Sequence, residues 1–281
     1  MNNKHHVLIF PAGSEIGLEI YNSLKYNHHV EVFGASGKSD HASFIYKENR
    51  YIEDLLYVDE PDFIDRFKVA SESGFNAVEY LFPYDYPKEQ LVNLLGENNL
   101  VQVLHNLPAG DWNAGERGIA CYPDRVNEFQ EGVGLAAEYA SALNCPQVNC
   151  LAGIKPESLL DQEAQDTLVA NLRYAAPIFE EAGVKLIVES INTLDIPGFF
   201  LNRTNQASSL IREVASDNLY LQHDIYHMQI MEGDLARTIE ANIDLISHMQ
   251  LADNPGRHEP GTGEINYKYL FEFIDALGYE G

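Results

Sequence analysis

The chain has 281 residues, of which 45% are hydrophobic and 22% charged, so it can bury a sizeable core and lacks the composition of a disordered protein. Lys and Arg total 18 against 43 Asp and Glu, a formal net charge of −25. Such a chain repels phosphate backbones and anionic lipid, so we expect no nucleic acid and no membrane surface as a partner. At about 150 residues per domain, the length allows two small domains or one large α/β barrel.

The cysteines and the N-terminus predict a cytoplasmic protein. Cys121, Cys145 and Cys150 are an odd number and contain no C-x-x-C pair, which favours reduced thiols over a disulfide framework. The apolar run near the N-terminus is too short for a signal peptide, and no segment approaches the roughly 20 apolar residues of a membrane span.

Eight short apolar or alternating runs predict β-strands, at 7–12, 30–35, 76–82, 101–107, 147–152, 185–191, 219–225 and 247–252. Helix-like stretches follow them at about 14–26, 61–73, 87–98, 125–143, 161–182, 204–216, 234–245 and 266–277. This alternation predicts an α/β fold with a parallel sheet and outer helices. Eight strand–helix units are also the number that closes a (βα)8 TIM barrel.

Polar residues recur where these strands end, and they are His105, Glu189, Asp224 and Gln250. The carboxyl ends of all strands share one face of a parallel barrel, so we expect these side chains to converge. Carboxylate and amide oxygens are the hard ligands that Mg²⁺ or Mn²⁺ prefers, which predicts a metal held by Glu189, Asp224 and Gln250. The alternative for each residue is a hydrogen bond to a loop backbone.

Two further stretches carry candidate substrate contacts. In the sequence HDIYH, His223 and His227 are four residues apart, but at a strand end they do not meet as they would on a helix, so a zinc site is disfavoured. His227 is better interpreted as a substrate contact beside the ligand Asp224. The loop 252–267, rich in Pro and Gly, could direct Arg257 at an anionic or polyhydroxy substrate, and a simple surface turn fits the composition equally well.

From about residue 66 onward the chain resembles the hydroxypyruvate isomerase family, part of the xylose-isomerase-like TIM barrel superfamily. The resemblance rests on the segments GFNAVEYLFPYDY, LHNLPAGDWNAGERGIAC, NLRYAAPIFEEAGVKLIVESIN, DIPGFFL, HDIYHMQIMEGDL and LADNPGRHEPGTGEINYKYLF. It covers about three quarters of the chain, and its motifs are highly specific.

The resemblance implies a metal-dependent aldose–ketose type isomerisation through an enediolate, which interconverts hydroxypyruvate and tartronate semialdehyde or acts on a longer 2-oxo sugar acid. The implied metal ligands are Glu189, Asp224 and Gln250, and Glu189 also matches an acid/base position. The implied substrate contacts are His227 and Arg257, with weaker matches at His105 and Asp195.

The N-terminal part departs from this family. Residues 1–60 resemble the start of a pre-ATP-grasp domain, a Rossmann-like βαβ segment, on the stretches VLIFPAGSEIGLEI, VEVFGASG and YKENRYIEDL. We therefore predict two domains, 1–60 and a truncated barrel at 61–281. We expect the N-terminal strands to complete the barrel beside the six isomerase strands, because a right-handed crossover permits that placement. The alternative is a separate lobe beside an open sheet.

The family pattern continues past Gly281 into an eighth strand whose glutamate is a further metal ligand and second acid/base group, so catalysis could be impaired. The first hypothesis is a metal-dependent isomerase acting on a small 2-oxo or hydroxy acid. The alternatives are a 2-oxo-tetronate isomerase and a catalytically impaired chimeric or fragmentary barrel scaffold, while an ATP-using ligase fits the N-terminal resemblance only. Homo-oligomer formation stays open.

Overall fold

The computed structural model describes residues 5–9, 30–35, 51–52 and 62–280. They belong to two compact units. The first contains the N-terminal strands and residues 62–76, 98–100 and 252–267, and the second contains 77–97, 101–251 and 268–280. The helix predicted at 14–26 lies outside the described residues, and the predicted domain boundary near residue 60 stays a prediction.

The first unit contains a small parallel sheet. Its strands are β1 (His5–Ile9), β2 (Val30–Ala35) and β3 (Tyr51–Ile52), paired in the order β1-β2-β3. The first two correspond to predicted strands, whereas the two-residue β3 was not predicted. Helix α1 (Phe63–Glu72) follows and buries Phe67, whose ring packs edge-on against that of Phe63 at 5.4 Å.

The second unit is built on six parallel strands whose order in the sheet follows their order in the chain. These strands are β4 (Ala77–Glu79), β5 (Val101–Asn106), β6 (Gln147–Cys150), β7 (Lys185–Glu189), β8 (Leu219–Asp224) and β9 (Ile246–Gln250). Sequential parallel pairing is what strand–helix units produce. The predicted TIM-barrel-like α/β fold is confirmed as a half-barrel, and its closure by the N-terminal strands stays a prediction.

Seven helices accompany these strands in the described part of the chain. They are α2 (Lys88–Glu97), α3 (Val126–Leu143), α4 (Asp161–Glu181), α5 (Thr204–Val214), α6 (Ile225–Met231), α7 (Leu235–Asn242) and α8 (Tyr267–Ala276). All but the short α6 were predicted, within a few residues at their ends. None of the described helices is both long enough and apolar enough to cross a membrane.

Buried aliphatic side chains on α4 and β7 show how helix packing holds a strand in place. Leu168 and Leu172 on α4, and Leu186 and Val188 on β7, are all fully buried. Each such side chain contributes on the order of 1.5–3 kcal/mol when it leaves water. Because side chains alternate along a strand, burying Leu186 and Val188 toward the helices turns Glu189 to the opposite, inner face.

Side chains also join strands that are far apart in the sheet. Glu79 on β4, the first strand, accepts hydrogen bonds from His248 Nε2 at 2.8 Å and Gln250 Nε2 at 2.7 Å on β9, the last strand. We call these three residues the seam. Deeper inside, Ser247 Oγ donates to Gln147 Oε1 at 2.9 Å. The six-stranded sheet is therefore curved enough for its outer strands to meet through their side chains.

The three cysteines are buried and form no disulfide, which confirms the prediction of reduced thiols. Burial raises the pKa of Cys121 and of Cys145 to about 12 and also raises the pKa of Cys150. All three are therefore protonated thiols at neutral pH, which makes them weak nucleophiles.

Candidate active site

Glu189 ends β7 and is 5% exposed. Its Oε2 accepts a hydrogen bond from Asn149 Nδ2 at 3.0 Å, and the same amide nitrogen also donates to Asn106 Oδ1 at 3.1 Å. Asn106 is the last residue of β5 and Asn149 the penultimate residue of β6, so three neighbouring strands hold this carboxylate from one side. A buried carboxylate oxygen with a fixed donor has a defined orientation, as an acid/base group requires.

Asp224 lies at the point where β8 becomes α6. Its Oδ1 accepts hydrogen bonds from the backbone N–H groups of Tyr226 at 2.8 Å and His227 at 3.2 Å, so the side chain is the N-cap of the helix. The sequence pattern predicts a strand at 219–225 with no helix directly after it, so it does not predict α6. The signal was present, because an Asp ahead of a short apolar run is an N-cap pattern.

The turn into α6 brings His227 close to the carboxylates of Glu189 and Asp224. His227 Nε2 lies 3.5 Å from Asp224 Oδ2 and 3.8 Å from Glu189 Oε1. One ligand-type atom from each of the three buried residues lies within 4.8 Å of the others. Donors that share one divalent ion with bonds of about 2.1 Å are separated by similar distances, so this group could hold a metal.

The opposite ring nitrogen of His227 faces a second set of polar groups. Asn192 Nδ2 lies 2.6 Å from His227 Nδ1 and 3.0 Å from Asp195 Oδ2. The Tyr226 hydroxyl donates to the same Asp195 oxygen at 2.8 Å. The structure therefore joins Asp195, a predicted substrate contact, to His227 through Asn192.

Gln250, the third predicted metal ligand, lies beside Asp224 in the β8–β9 ladder. Its Oε1 accepts a hydrogen bond from Gln222 Nε2 at 2.8 Å, while its Nε2 donates to Glu79 in the seam. A carbonyl oxygen has two lone pairs, so Gln250 Oε1 can accept this bond and still bind a cation. Its role as a ligand stays a prediction.

His105 lies on the other face of β5. Asn106 points inward toward Asn149, and alternation along the strand turns His105 outward. There its Nδ1 lies 3.2 Å from the Tyr84 hydroxyl. Burial lowers the pKa of His105 to about 4, so its imidazole is neutral at physiological pH. The structure does not bring His105 to the Glu189 side of the strand, and its predicted substrate contact stays a prediction.

Arg257 lies in the loop 252–267 of the first unit and is exposed, with a left-handed backbone at φ 57°. Asp253, which is fully buried, organises this loop by accepting hydrogen bonds from the backbone N–H groups of Asn254, Gly261 and Ile265. A single buried carboxylate thus organises the turns of this loop. The substrate contact of Arg257 stays a prediction.

Sequence reasoning missed two asparagines that contact the site residues. Asn149 lies in the strand QVNC, all of whose residues are buried, where a polar residue at an inward position was the available signal. Asn192 follows Glu189 by three residues and is fully buried. Its contact with His227 depends on the path of the loop after β7, which the sequence pattern does not specify.

Comparison with known families extends over the same part of the chain as the half-barrel. Residues 67–281 match the family described as xylose isomerase-like TIM barrel. The match agrees with the resemblance found in the sequence from about residue 66.

Two curated relatives are similar over most of this chain. A hydroxypyruvate isomerase from Escherichia coli is 52% identical over 222 residues, which cover 79% of this chain and 86% of that protein. A 2-oxo-tetronate isomerase from Cupriavidus necator is 44% identical over 227 residues, which cover 81% of this chain and 87% of that protein.

Solved structures share the fold. The structure titled AP endonuclease, family 2, from Brucella melitensis superposes with a TM-score of 0.77 at 43% identity, covering 79% of this chain and 86% of that one. A 3-keto-D-glucoside 4-epimerase from Escherichia coli, at 21% identity and a TM-score of 0.67, shows likeness of fold alone. From its sequence match and its half-barrel, the chain belongs to the xylose isomerase-like TIM barrel family.

Proposed function

We propose that the chain is a metal-dependent isomerase that interconverts hydroxypyruvate and tartronate semialdehyde. The observation that carries the proposal is the pair of buried carboxylates, Glu189 and Asp224, each with one oxygen held by protein donors and the other facing His227 Nε2. The activity named for the 52% identical relative supports the choice of reaction.

The donor set fits Mg²⁺ or Mn²⁺ held by Glu189, Asp224 and Gln250. Two carboxylates buried this close repel one another unless a cation or a proton lies between them. Their hard oxygens, with an amide oxygen as third ligand, favour these ions over zinc or copper. When bound, such an ion polarises the substrate carbonyl as a Lewis acid.

Glu189 is proposed to move the proton between the two reacting carbons. In hydroxypyruvate the carboxylate would take a proton from C3 and return it to C2, while the hydroxyl proton on C3 passes to the oxygen on C2. No external electrons are needed, because C3 is oxidised to the aldehyde as C2 is reduced to the alcohol. Asn149 would keep Glu189 oriented throughout by its hydrogen bond to Oε2.

Burial of the site supports a small substrate. Glu189, Asp224 and His227 are each at most 5% exposed, so a substrate that reaches them must be small and must displace water. We infer a small 2-oxo or hydroxy acid as partner and a cytoplasmic setting, without nucleic acid or membrane binding, as the strongly acidic composition predicts.

The test is an isomerase assay on hydroxypyruvate with Mg²⁺ or Mn²⁺, with and without a chelator. Glu189→Gln removes the base with little change in volume, and we expect it to lower kcat by about 10²- to 10⁴-fold, the usual worth of a positioned proton carrier. Glu181→Gln, at an exposed position on α4, is the matched control. Activity that ignores both the chelator and the Glu189 substitution would refute the proposal.

A second candidate is 2-oxo-tetronate isomerisation, which the 44% identical relative favours. Comparing kcat/KM for three-carbon and four-carbon 2-oxo acids on the same preparation decides between the two. A folded protein that binds metal but turns over neither acid would instead be the catalytically impaired scaffold.

A further inference from the structure

The orientation of the Asn192 side chain is set by the backbone. Its Oδ1 accepts hydrogen bonds from the N–H groups of Leu194 at 3.0 Å and Asp195 at 2.7 Å. Backbone N–H groups can only donate, so the oxygen of the amide must face them and the nitrogen must face away. The orientation of the Asn192 amide is therefore independent of the state of His227.

The amide nitrogen then determines which nitrogen of His227 carries the proton. Asn192 Nδ2 lies 2.6 Å from His227 Nδ1, and an amide NH₂ group has no lone pair to accept a hydrogen bond. His227 Nδ1 must therefore be the acceptor, and the proton of the neutral ring lies on Nε2. Both side chains are almost fully buried, so water does not compete for this contact.

We propose that Asn192 is a positioning residue that holds His227 as the Nε2–H tautomer, so that His227 serves the site as a hydrogen-bond donor and not as a metal ligand. A metal-bound Nε2 would have to lose its proton to Nδ1, where an N–H would face the NH₂ group of Asn192. This separates His227 from Glu189 and Asp224, although the three lie close enough to share an ion.

A donor at this place has a use in the proposed isomerisation, on which the catalytic part of this inference rests. The Nε2–H group points to the space bordered by Glu189 Oε1 and Asp224 Oδ2. A substrate oxygen that gains negative charge as a proton leaves the neighbouring carbon would be stabilised there. The substrate class is thus one with a carbonyl or hydroxyl oxygen next to the carbon that loses its proton.

The tautomer can be measured directly by ¹⁵N NMR of the histidine ring nitrogens, with His227→Gln to assign the signals. We expect a protonated Nε2 and an unprotonated Nδ1, and we expect both shifts to keep that pattern when Mg²⁺ is added. A protonated Nδ1 in the unmodified protein, or loss of the Nε2 proton on adding Mg²⁺, would overturn the inference.

Asn192→Asp reverses the contact with almost no change in shape. One carboxylate oxygen can still accept from the two backbone N–H groups, while the other, which replaces a donor to Asp195 Oδ2, can accept from His227 Nδ1–H. We expect the NMR pattern to invert and kcat/KM to fall by about 100-fold, as on losing one donor to a developing oxyanion. Asn205→Asp, at an exposed position on α5, controls for the added charge.

The two proposals fail in different ways. If the unmodified protein shows the Nε2–H tautomer but isomerises no 2-oxo acid, the tautomer inference stands and the proposed function falls. If the protein is an active isomerase and Asn192→Asp lowers activity without inverting the NMR pattern, Asn192 acts by another route and the inference falls.

Discussion

Two parts of the half-barrel contain carboxylates at strand ends, and they use them differently. In the middle of the sheet, Glu189 and Asp224 each have one oxygen held by a protein donor and one turned toward His227. In the seam between the outer strands, Glu79 has each of its oxygens in a hydrogen bond, to His248 and to Gln250.

The exposure of these carboxylates to solvent also differs between the middle of the sheet and the seam. Glu189 and Asp224 are at most 5% exposed, whereas the Glu79 side chain is 37% exposed. Burial by itself would raise the pKa of Glu79, but the hydrogen bond and charge of His248 leave it below its ordinary value. Residue type and strand-end position alone therefore do not determine the environment of a carboxylate. The two places differ in the burial of the carboxylate and in whether its second oxygen faces the imidazole of His227.

The largest expected effect is at the middle of the sheet, on metal affinity. Asp224→Asn keeps an oxygen to cap α6 and replaces the charged oxygen that faces His227 with an amide nitrogen. We expect Mn²⁺ affinity, measured by titration calorimetry, to fall by at least the roughly 10- to 100-fold that loss of a supporting group costs. Thermal unfolding should change little, because the cap survives. Unaltered Mn²⁺ affinity would show that this pair of carboxylates is not the metal site.

The second-largest effect is expected on kcat/KM when Asn149, the donor that orients Glu189, is removed. Asn149→Ala removes the hydrogen bond to Oε2 and leaves the carboxylate of Glu189 itself in place. We expect kcat/KM to fall by roughly 10- to 100-fold with a smaller change in KM, as for other supporting groups. Gln102→Ala is the control, because it removes another fully buried amide of β5, one whose Oε1 accepts a hydrogen bond from the Tyr80 hydroxyl. Equal losses in the two variants would indicate general damage to the interior.

The sequence predicted the six strands and the convergence of Glu189 with Asp224, because both follow from rules about parallel strands. Apolar runs such as KLIVE mark a buried strand, and parallel strands direct their carboxyl ends to one face. The family resemblance added the reaction and the roles of the residues, which periodicity cannot supply.

The sequence did not predict contacts that depend on side-chain direction or on a loop path. His105 lies on the outer face of β5 because side chains alternate along a strand. A shift of one residue in the predicted register of β5 places its side chain on the opposite face. Asn192 reaches His227 only through the turn after β7. The seam needs the curvature of the whole sheet, which brings Glu79 to residues about 170 positions away in the chain.

The next effect is expected on the acid stability of the protein, and it comes from the buried imidazole of His105. His105 has a folded-state pKa of about 4 because of burial. As the pH falls below about 6.5, the unfolded chain takes up a proton that the folded chain does not, so stability falls. We expect a loss of about 1 kcal/mol between pH 6.5 and 5.5, and about 3 kcal/mol by pH 4.

Urea unfolding across this pH range measures the loss, with His105→Gln as the comparison. This substitution removes the titrating group, so the variant should lose less stability on acidification than the unmodified protein. Parallel curves for the two proteins would mean that other groups set the acid stability.

The smallest effect is expected at the seam. Because the pKa of Glu79 is lowered, its contribution to stability is present above about pH 4.5 and is lost as the pH falls through the lowered value. Its partial exposure screens the pair with His248, so a double-mutant cycle with Glu79→Gln and His248→Gln should give a coupling of at most about 1 kcal/mol. Added salt should weaken the coupling further.

A much larger coupling energy between Glu79 and His248 would give the seam a larger structural role than its exposure predicts. Breaking a buried ion pair costs roughly 3–5 kcal/mol, and a value in that range for Glu79 and His248 would mean that the seam holds the curvature of the sheet. The seam would then also control the site, since Gln250 binds both Glu79 and Gln222. With the expected small coupling, Glu79→Gln should reduce Mn²⁺ affinity far less than Asp224→Asn does, because the backbone ladder alone keeps Gln250 beside Asp224.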